Sequence, residues 1–121
     1  MQILDNISNE GRQKFTILLD EDNSAIVISL TYKPTQLGWF MDVEYEPKSF
    51  YVYGLRVSTN YNLLNQWHNI LPFGIACVCK DDQEALSIQD FLVGREQLGV
   101  ISKEEVNQII ENQQAKRSED Y

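Results

Sequence analysis

The chain is poor in the residues that carry out enzymatic chemistry. Its 121 residues include a single histidine, His68, and only two cysteines, Cys77 and Cys79. His68 follows Trp67 without the Ser, Cys or Asp partners that activate a nucleophile, so we expect a partly buried packing or hydrogen-bonding residue. A zinc site would need further Cys or His at ligand spacing. We therefore predict no catalytic residue, no metal site, no cofactor and no enzymatic activity.

Long apolar runs are also missing. The longest, Ala25 to Leu30 and Phe73 to Val78, fall far short of the roughly 20 residues that a membrane-spanning helix needs. The N-terminus lacks the basic and then apolar pattern of a signal peptide. These absences predict a protein that folds in a cytoplasm without inserting into a membrane. In that setting we expect Cys77 and Cys79, on one face of a strand, to be small buried hydrophobic residues rather than a disulfide.

Positive charge is scarce, since ten basic residues face 18 acidic ones and the net charge is −8. This balance argues against binding the phosphate backbone of nucleic acids or an anionic membrane surface. The acidic run Asp20, Glu21 and Asp22 lacks the ligand spacing of a calcium loop, so we interpret it as a hairpin turn. Asp42 and Glu44 share one strand face, as a catalytic pair of carboxylates could. Acidic residues on the solvent side of a strand are ordinary, so we interpret these two as a solvated face.

What the chain does have is enough apolar material, 43% of its residues, for one core. We predict an N-terminal arm over residues 1–12, a single β-rich domain over 13–111 and a polar, flexible tail over 112–121. Apolar residues alternate in Gln13 to Asp20, Ala25 to Lys33 and Trp39 to Tyr45, which predicts strands. A fourth strand surrounds Gly54, where we expect a bulge or bend. Turn residues between these strands favour an antiparallel meander.

The second half alternates between helical and β patterns. Leu63, Leu64 and Trp67 predict a short helix that starts at Asn60 and ends before Pro72. Strands follow at Phe73 to Cys79 and Gln97 to Ile101, with one helical turn predicted within 85–93. Ser102 and Glu105 match a capping box at the start of a C-terminal helix. The predicted fold class is mostly β, an antiparallel barrel or sandwich of about six short strands with these two helices.

Aromatic residues crowd two consecutive predicted strands. They are Trp39, Phe40, Tyr45, Phe50, Tyr51 and Tyr53. Because neighbours on a strand point to opposite faces, these side chains cannot all lie in one core. We interpret Phe40, Tyr51 and Tyr53 as candidate interface residues on the outer face. The alternative is a small satellite cluster under the C-terminal helix.

Several ordered segments resemble one known family. They are Gly38–Val43 (GWFMDV), Gly54–Val57 (GLRV), Asn62–Leu64 (NLL), Leu71–Ala76 (LPFGIA) and Asp90–Arg95 (DFLVGR), followed by Leu98. Over roughly residues 13 to 106 the chain resembles small baseplate proteins of contractile-tailed bacteriophages, the baseplate plug of a cyanophage. The resemblance implies a compact barrel or sandwich without enzymatic activity. In physical terms, we interpret Trp39 as a core residue, Gly54 and Gly74 as backbone bends and Pro72 as the end of the helix.

Two functions follow from these patterns. The first is a structural component of a contractile-tail baseplate, packed in the central hub or plug region against tube, hub or spike proteins. In that role the chain would assemble in the host cytoplasm, be homo-oligomeric in the virion and bury aromatic patches. The alternative is an acidic cytosolic binding module of the immunity-protein or inhibitor kind, which charge complementarity would steer toward a basic toxin.

Overall fold

The computed structural model describes residues 1–19, 24–80 and 87–119. Within them lie seven strands, one α-helix and three single 3₁₀ turns. The strands are β1 (Gln2–Ile3), β2 (Arg12–Leu18), β3 (Ala25–Lys33), β4 (Gly38–Tyr45), β5 (Phe50–Arg56), β6 (Phe73–Cys79) and β7 (Glu96–Ser102). The helix α1 spans Lys103–Glu119, and the 3₁₀ turns span Pro34–Gln36, Glu46–Lys48 and Asn65–Trp67.

The strands form two antiparallel sheets. One is the predicted meander, in the order β2-β3-β4-β5, and the other has the order β1-β7-β6. The sheets do not close into a barrel, so the architecture is a sandwich, and the mostly-β prediction is confirmed. The predicted bounds of β3, Ala25 to Lys33, coincide with the observed strand. The acidic run at residues 20–22 lies outside the described residues.

The core fills the space between the two sheets. Alternate residues of each strand point into it, which is why the period-two pattern predicted these strands well. Across the interior, Tyr45 of the meander and Phe73 of β6 meet edge to face, with ring centres 5.2 Å apart. The largest fully buried side chains are Trp39, Tyr45, Phe73, Ile26, Ile28, Leu30, Met41, Leu64, Leu71, Ile75 and Leu98, together with Glu96.

Gly54 forms the predicted bulge in β5. The register shifts between Met41 and Val43 of β4, so Tyr53 and Gly54 together lie opposite Asp42. Gly54 has a φ of +72°, which costs a glycine little. The backbone N–H that the bulge releases from the ladder is taken up by the Asp42 side chain, whose Oδ1 accepts it at 2.8 Å.

The predicted middle helix is reduced to the single 3₁₀ turn at Asn65–Trp67. Asn60 is not its cap; it pairs with Cys77 as an isolated bridge along the outer edge of β6. The buried Asn62 organises this segment instead, because its Oδ1 accepts the N–H groups of Leu64 and Ile75 at 3.0 and 3.1 Å. A short-range helical pattern therefore yields to pairing with a strand distant in sequence.

Gly74 serves close approach rather than a backbone bend. It lies inside the regular strand β6, and a Cβ at this position would stand 2.6 Å from Oδ1 of Asn62. The predicted backbone bend is therefore wrong for Gly74, although it is right for Gly54. In the described part of the segment 85–93, from Ser87 on, the predicted single helical turn is present, because the Val93 N–H donates to the Gln89 carbonyl at 3.0 Å; it ends at Gly94, with φ +79°.

Both chain ends add to the second sheet. In the N-terminal arm, Gln2 and Ile3 pair with β7 as strand β1, and Ile7 is buried in the core. At the other end the capping box is confirmed. Ser102 Oγ accepts the Glu105 N–H, and Glu105 Oε1 accepts the Ser102 N–H, both at 3.2 Å. The backbone of α1 is helical to Glu119, so part of the 112–121 tail is helical, and its flexibility stays a prediction.

Candidate interaction surface

One broad sheet face points away from the core. We call it the outer face; it comprises the alternate residues of the meander that do not enter the interior. From β2 and β3 these are Arg12, Lys14, Thr16, Leu18, Ala25, Val27, Ser29, Thr31 and Lys33; from β4 and β5 they are Phe40, Asp42, Glu44, Tyr51, Tyr53 and Arg56. The helix α1 packs on the opposite sheet, against β6 and β7.

All three predicted interface residues lie on this face. Tyr51 is 49% and Tyr53 62% exposed, and Phe40 is half-buried. Their strand neighbours Trp39 and Phe50 point inward and are buried, as alternation requires. The use of the three residues as an interface stays a prediction.

The alternative of a satellite cluster under the helix is wrong for these aromatic residues. A small second cluster does lie beneath α1, but it belongs to the other sheet. Its members are Ala76, Ile101 and Val106, with Ile109 and Ile110 packed against them.

At one end of the outer face, Phe40 is flanked by two cations. Lys33 Nζ lies 4.6 Å and Arg56 Cζ 5.5 Å from the centre of the Phe40 ring. Both distances are within the range of cation–π attraction. The Arg56 guanidinium also donates to the carbonyl oxygens of Gln36 and Leu37, at 3.4 and 3.2 Å. Phe40 is therefore held in place at a basic end of the sheet.

The other end of the face combines tyrosines with carboxylates. The Tyr53 hydroxyl donates to Glu44 Oε1 at 3.4 Å. Desolvation and, next, the negative charge of Glu44 raise the pKa of Tyr53. Next to it is a shallow groove of about 430 Å³ lined by Ala25, Val27, Glu44, Glu46, Pro47 and Tyr51. The arrangement offers apolar rings within a polar frame, a composition suited to protein contact.

Comparison with known protein families identifies the family of this chain. The family described as "Cyanophage baseplate Pam3 plug gp18" matches residues 1–106 of the 121. The chain belongs to this baseplate plug family. No curated protein matches the chain. The resemblance found from the segments between Gly38 and Leu98 is thereby confirmed, and membership supports a structural role in a phage baseplate, as part of the virion.

The family match spans the whole sandwich and ends early in α1. Residues 1–106 contain all seven described strands and the outer face with Phe40, Tyr51 and Tyr53. They stop at Val106, the helix residue that packs on the second sheet. The remainder of α1, as far as Glu119, extends beyond the part that this plug shares with its family.

Sequence reasoning missed a buried polar cluster at the end of the core. Glu96, 1% exposed, accepts from the Cys77 thiol at 3.4 Å, and Arg95 Nη1 lies 3.6 Å from its other oxygen. Burial raises the pKa of Glu96, and the two thiols and Arg95 partly offset this effect. Arg95 also donates to Asp90 at 3.1 Å and to Cys79 at 3.2 Å. The cluster could be recognised only after β6 and β7 had been paired, in the register that sets Cys79 opposite Glu96.

This cluster ties the loop before β7 to the sandwich. Asp90 Oδ2 accepts the Ser87 N–H at 2.9 Å, and the Ser87 carbonyl accepts from the Trp39 indole at 3.3 Å. The cysteines are thus not plain hydrophobic residues: Cys77 is buried and Cys79 half-buried, neither forms a disulfide, and both have polar contacts.

The remaining candidates for chemistry are structural. Across residues 1–19, 24–80 and 87–119, no group of three or more His, Cys, Asp and Glu is placed to hold a metal ion. His68 is partly buried, and its Nδ1 lies 2.7 Å from the Asn65 carbonyl, which confirms the predicted hydrogen-bonding role. Among the described residues, no helix combines the length and the apolar character needed to cross a membrane.

Proposed function

We propose that this chain is a structural subunit of a contractile-tail baseplate, packed in the central hub or plug region. Its partners are tube, hub or spike proteins and further copies of the chain. The outer face of the meander carries the contact, with Phe40, Tyr51 and Tyr53 as its anchors. The observation that supports this most is a pair of well-exposed tyrosines on an open sheet face, in a member of a baseplate plug family.

Exposed tyrosines on a sheet are suited to binding. Tyrosine adds a large contact area with few rotatable bonds, which is why aromatic residues are enriched in interface cores. The rings of Tyr51 and Tyr53 start from a strand that is already ordered, and the Tyr53 hydroxyl is held by Glu44. Little conformational entropy is therefore lost when a partner covers them.

The sheet edges are less suited to assembly than the face. The edge strand β2 carries Arg12 and Lys14, and the opposite edge strand β5 is interrupted by the bulge at Gly54. Charged residues and bulges are common means of preventing edge-to-edge pairing. Contacts made by side chains of the outer face therefore account better for specific assembly than does addition of a strand.

Contact rather than catalysis also fits the buried carboxylate. Glu96 has the raised pKa that often marks an active site, but it lies in the core between Cys77 and Arg95. A substrate would have to displace the loop that Asp90 and Trp39 hold in place. We assign this group to stability and propose no enzymatic activity for the chain.

The proposal is tested by co-purification with tail proteins encoded near the chain's gene. We expect the tagged wild-type chain to retain at least one tube, hub or spike protein. Tyr51→Ala combined with Tyr53→Ala should lose that protein while keeping the wild-type thermal midpoint. Tyr61→Ala is the matched control, since Tyr61 is 71% exposed but lies beside β6 of the other sheet.

Two results would contradict the proposal. One is a chain that retains no tail protein under any condition tested. The other is a gene beside that of a basic toxin, with a chain that binds that toxin, which would favour the inhibitor function suggested by the net charge of −8.

A further inference from the structure

Charge is unevenly distributed along the strands of the outer face. Arg12, Thr31, Phe40 and Arg56 form one row across the four strands, and Lys33 extends beyond it at the same end. Next comes a middle row with Lys14, Ser29 and Asp42. The third row consists of Thr16, Val27, Glu44 and Tyr51, and Glu46 lies beyond it. One end of the face is therefore basic and the other acidic.

The basic end of the face differs in sign from the chain as a whole. The chain has ten basic residues against 18 acidic ones, yet Arg12, Lys33 and Arg56 gather at one end of a single sheet. The middle row carries one charge of each sign, Lys14 and Asp42. In the turn at the acidic end, Lys48 is not among the residues that line the groove beside Tyr51. A surface with opposite charges at its two ends is complementary to itself when turned around.

We propose that the outer face pairs with the outer face of a second copy of this chain, with the strand directions reversed. A two-fold axis in the plane of the interface, perpendicular to the strands, brings the basic end of each copy onto the acidic end of the other. Sheets packed face to face keep their strands within about 30° of alignment, which this arrangement allows. This inference rests on the proposed function, because it names the partner that covers the same face.

The pairing also gives the aromatic residues a partner. Rotation about the middle row places the row of Tyr51 over the row of Phe40 and Arg56. A tyrosine can there stack on the guanidinium and ring of the other copy. The rotation also sets Lys14 and Asp42 of the middle row each opposite its own copy, and this like-charge contact weakens the pairing. An axis parallel to the strands would instead place basic on basic and acidic on acidic ends, which like-charge repulsion disfavours.

The size of the face predicts how tight the pairing is. Four strands at about 4.8 Å spacing and seven residues at about 3.3 Å span about 14 by 20 Å. This is small beside the roughly 800 Å² per partner of a standard interface. We therefore expect a weak, salt-sensitive dimer of the isolated chain, which becomes stable when an assembly holds the copies at high local concentration.

Charge reversal with the whole chain tests the pairing by sedimentation equilibrium. The basic-end variant carries Arg12→Glu and Lys33→Glu, and the acidic-end variant carries Glu44→Lys and Glu46→Lys. Each should self-associate at least about tenfold more weakly than the wild type, because like charges now meet twice across the axis. An equimolar mixture of the two variants should form a heterodimer, since the ends of one face are then mainly acidic and both ends of the other are basic.

The control reverses two exposed charges away from the face, Glu111→Lys and Lys80→Glu. It should dimerise like the wild type, and all variants should keep the wild-type circular dichroism spectrum. A wild type that stays monomeric at millimolar concentration, or a variant mixture that does not associate, overturns the inference. If such a monomer still binds a tail protein through Tyr51 and Tyr53, the proposed function stands and only the identity of the partner is wrong.

Discussion

Replacing Trp39 by alanine removes the largest fully buried side chain among the described residues. Its ring meets Tyr32 and Phe91, with ring centres 5.4 and 5.7 Å away, and its Nε1 donates to the Ser87 carbonyl at 3.3 Å. Core Trp→Ala substitutions cost about 3–5 kcal/mol. Because the aromatic contacts and the hydrogen bond are lost together, we expect about 5 kcal/mol, a large part of the roughly 5–15 kcal/mol that stabilises a domain.

Urea unfolding followed by circular dichroism measures this cost. Trp39→Phe, which keeps a ring but loses the indole hydrogen bond and some volume, should cost only about 1–2 kcal/mol. Tyr51→Ala, on the neighbouring strand but on the outer face, should stay within about 0.5 kcal/mol of the wild type. A Trp39→Ala cost below about 1 kcal/mol, or an equal cost for Tyr51→Ala, would refute the assignment of inner and outer faces.

Three further predictions concern the cap, a close approach and a buried acid. Ser102→Ala should lower stability by about 1 kcal/mol in thermal unfolding, because the Glu105 N–H loses its acceptor, whereas Ser102→Asp should keep the cap. Gly74→Ala should cost about 1–3 kcal/mol in urea, because its Cβ would clash with Asn62; Gly11→Ala, with open space, is the control, and equal costs would argue against the clash. The raised pKa of Glu96 means that wild-type stability falls as the pH rises from the ordinary value of 4.5 through the folded pKa. The thermal midpoint of Glu96→Gln should therefore rise relative to that of the wild type as the pH is raised above 4.5, and a difference that does not change with pH would contradict the burial of the charge.

Local sequence patterns predicted the elements whose cause is local. Strands β3 and β4 alternate apolar and polar residues over their full length, so one face can only be the core face. The capping box at Ser102 and the bulge at Gly54 each depend on residues within a few positions or on one backbone conformation. These features follow from short-range chemistry, which a single sequence contains.

Features that depend on distant pairing could not be predicted in this way. Strand β1 has two residues, too few for any periodicity, and forms because Gln2 meets Val100. The middle segment loses its helix because the Asn62 side chain binds Ile75 of β6. The polar cluster around Glu96 exists only in the register that sets it opposite Cys79.

The candidate surface combines both kinds of information. Alternation along β4 and β5 was enough to separate Phe40, Tyr51 and Tyr53 from the inward aromatic residues. The division of charge between the ends of the face required the register of all four strands. A shift of one residue in any strand would send its charges to the other side of the sheet.

The most direct test of the structural role is footprinting of tyrosine oxidation by hydroxyl radicals, on the free chain and on tail assemblies that contain it. In the free chain, Tyr51, Tyr53 and Tyr61 are all exposed, with fractions of 49%, 62% and 71%. We expect assembly to protect Tyr51 and Tyr53 strongly while Tyr61 continues to be oxidised. Equal oxidation of Tyr51 and Tyr53 in the free and assembled states would contradict the assignment of the outer face as the surface by which this chain serves a baseplate.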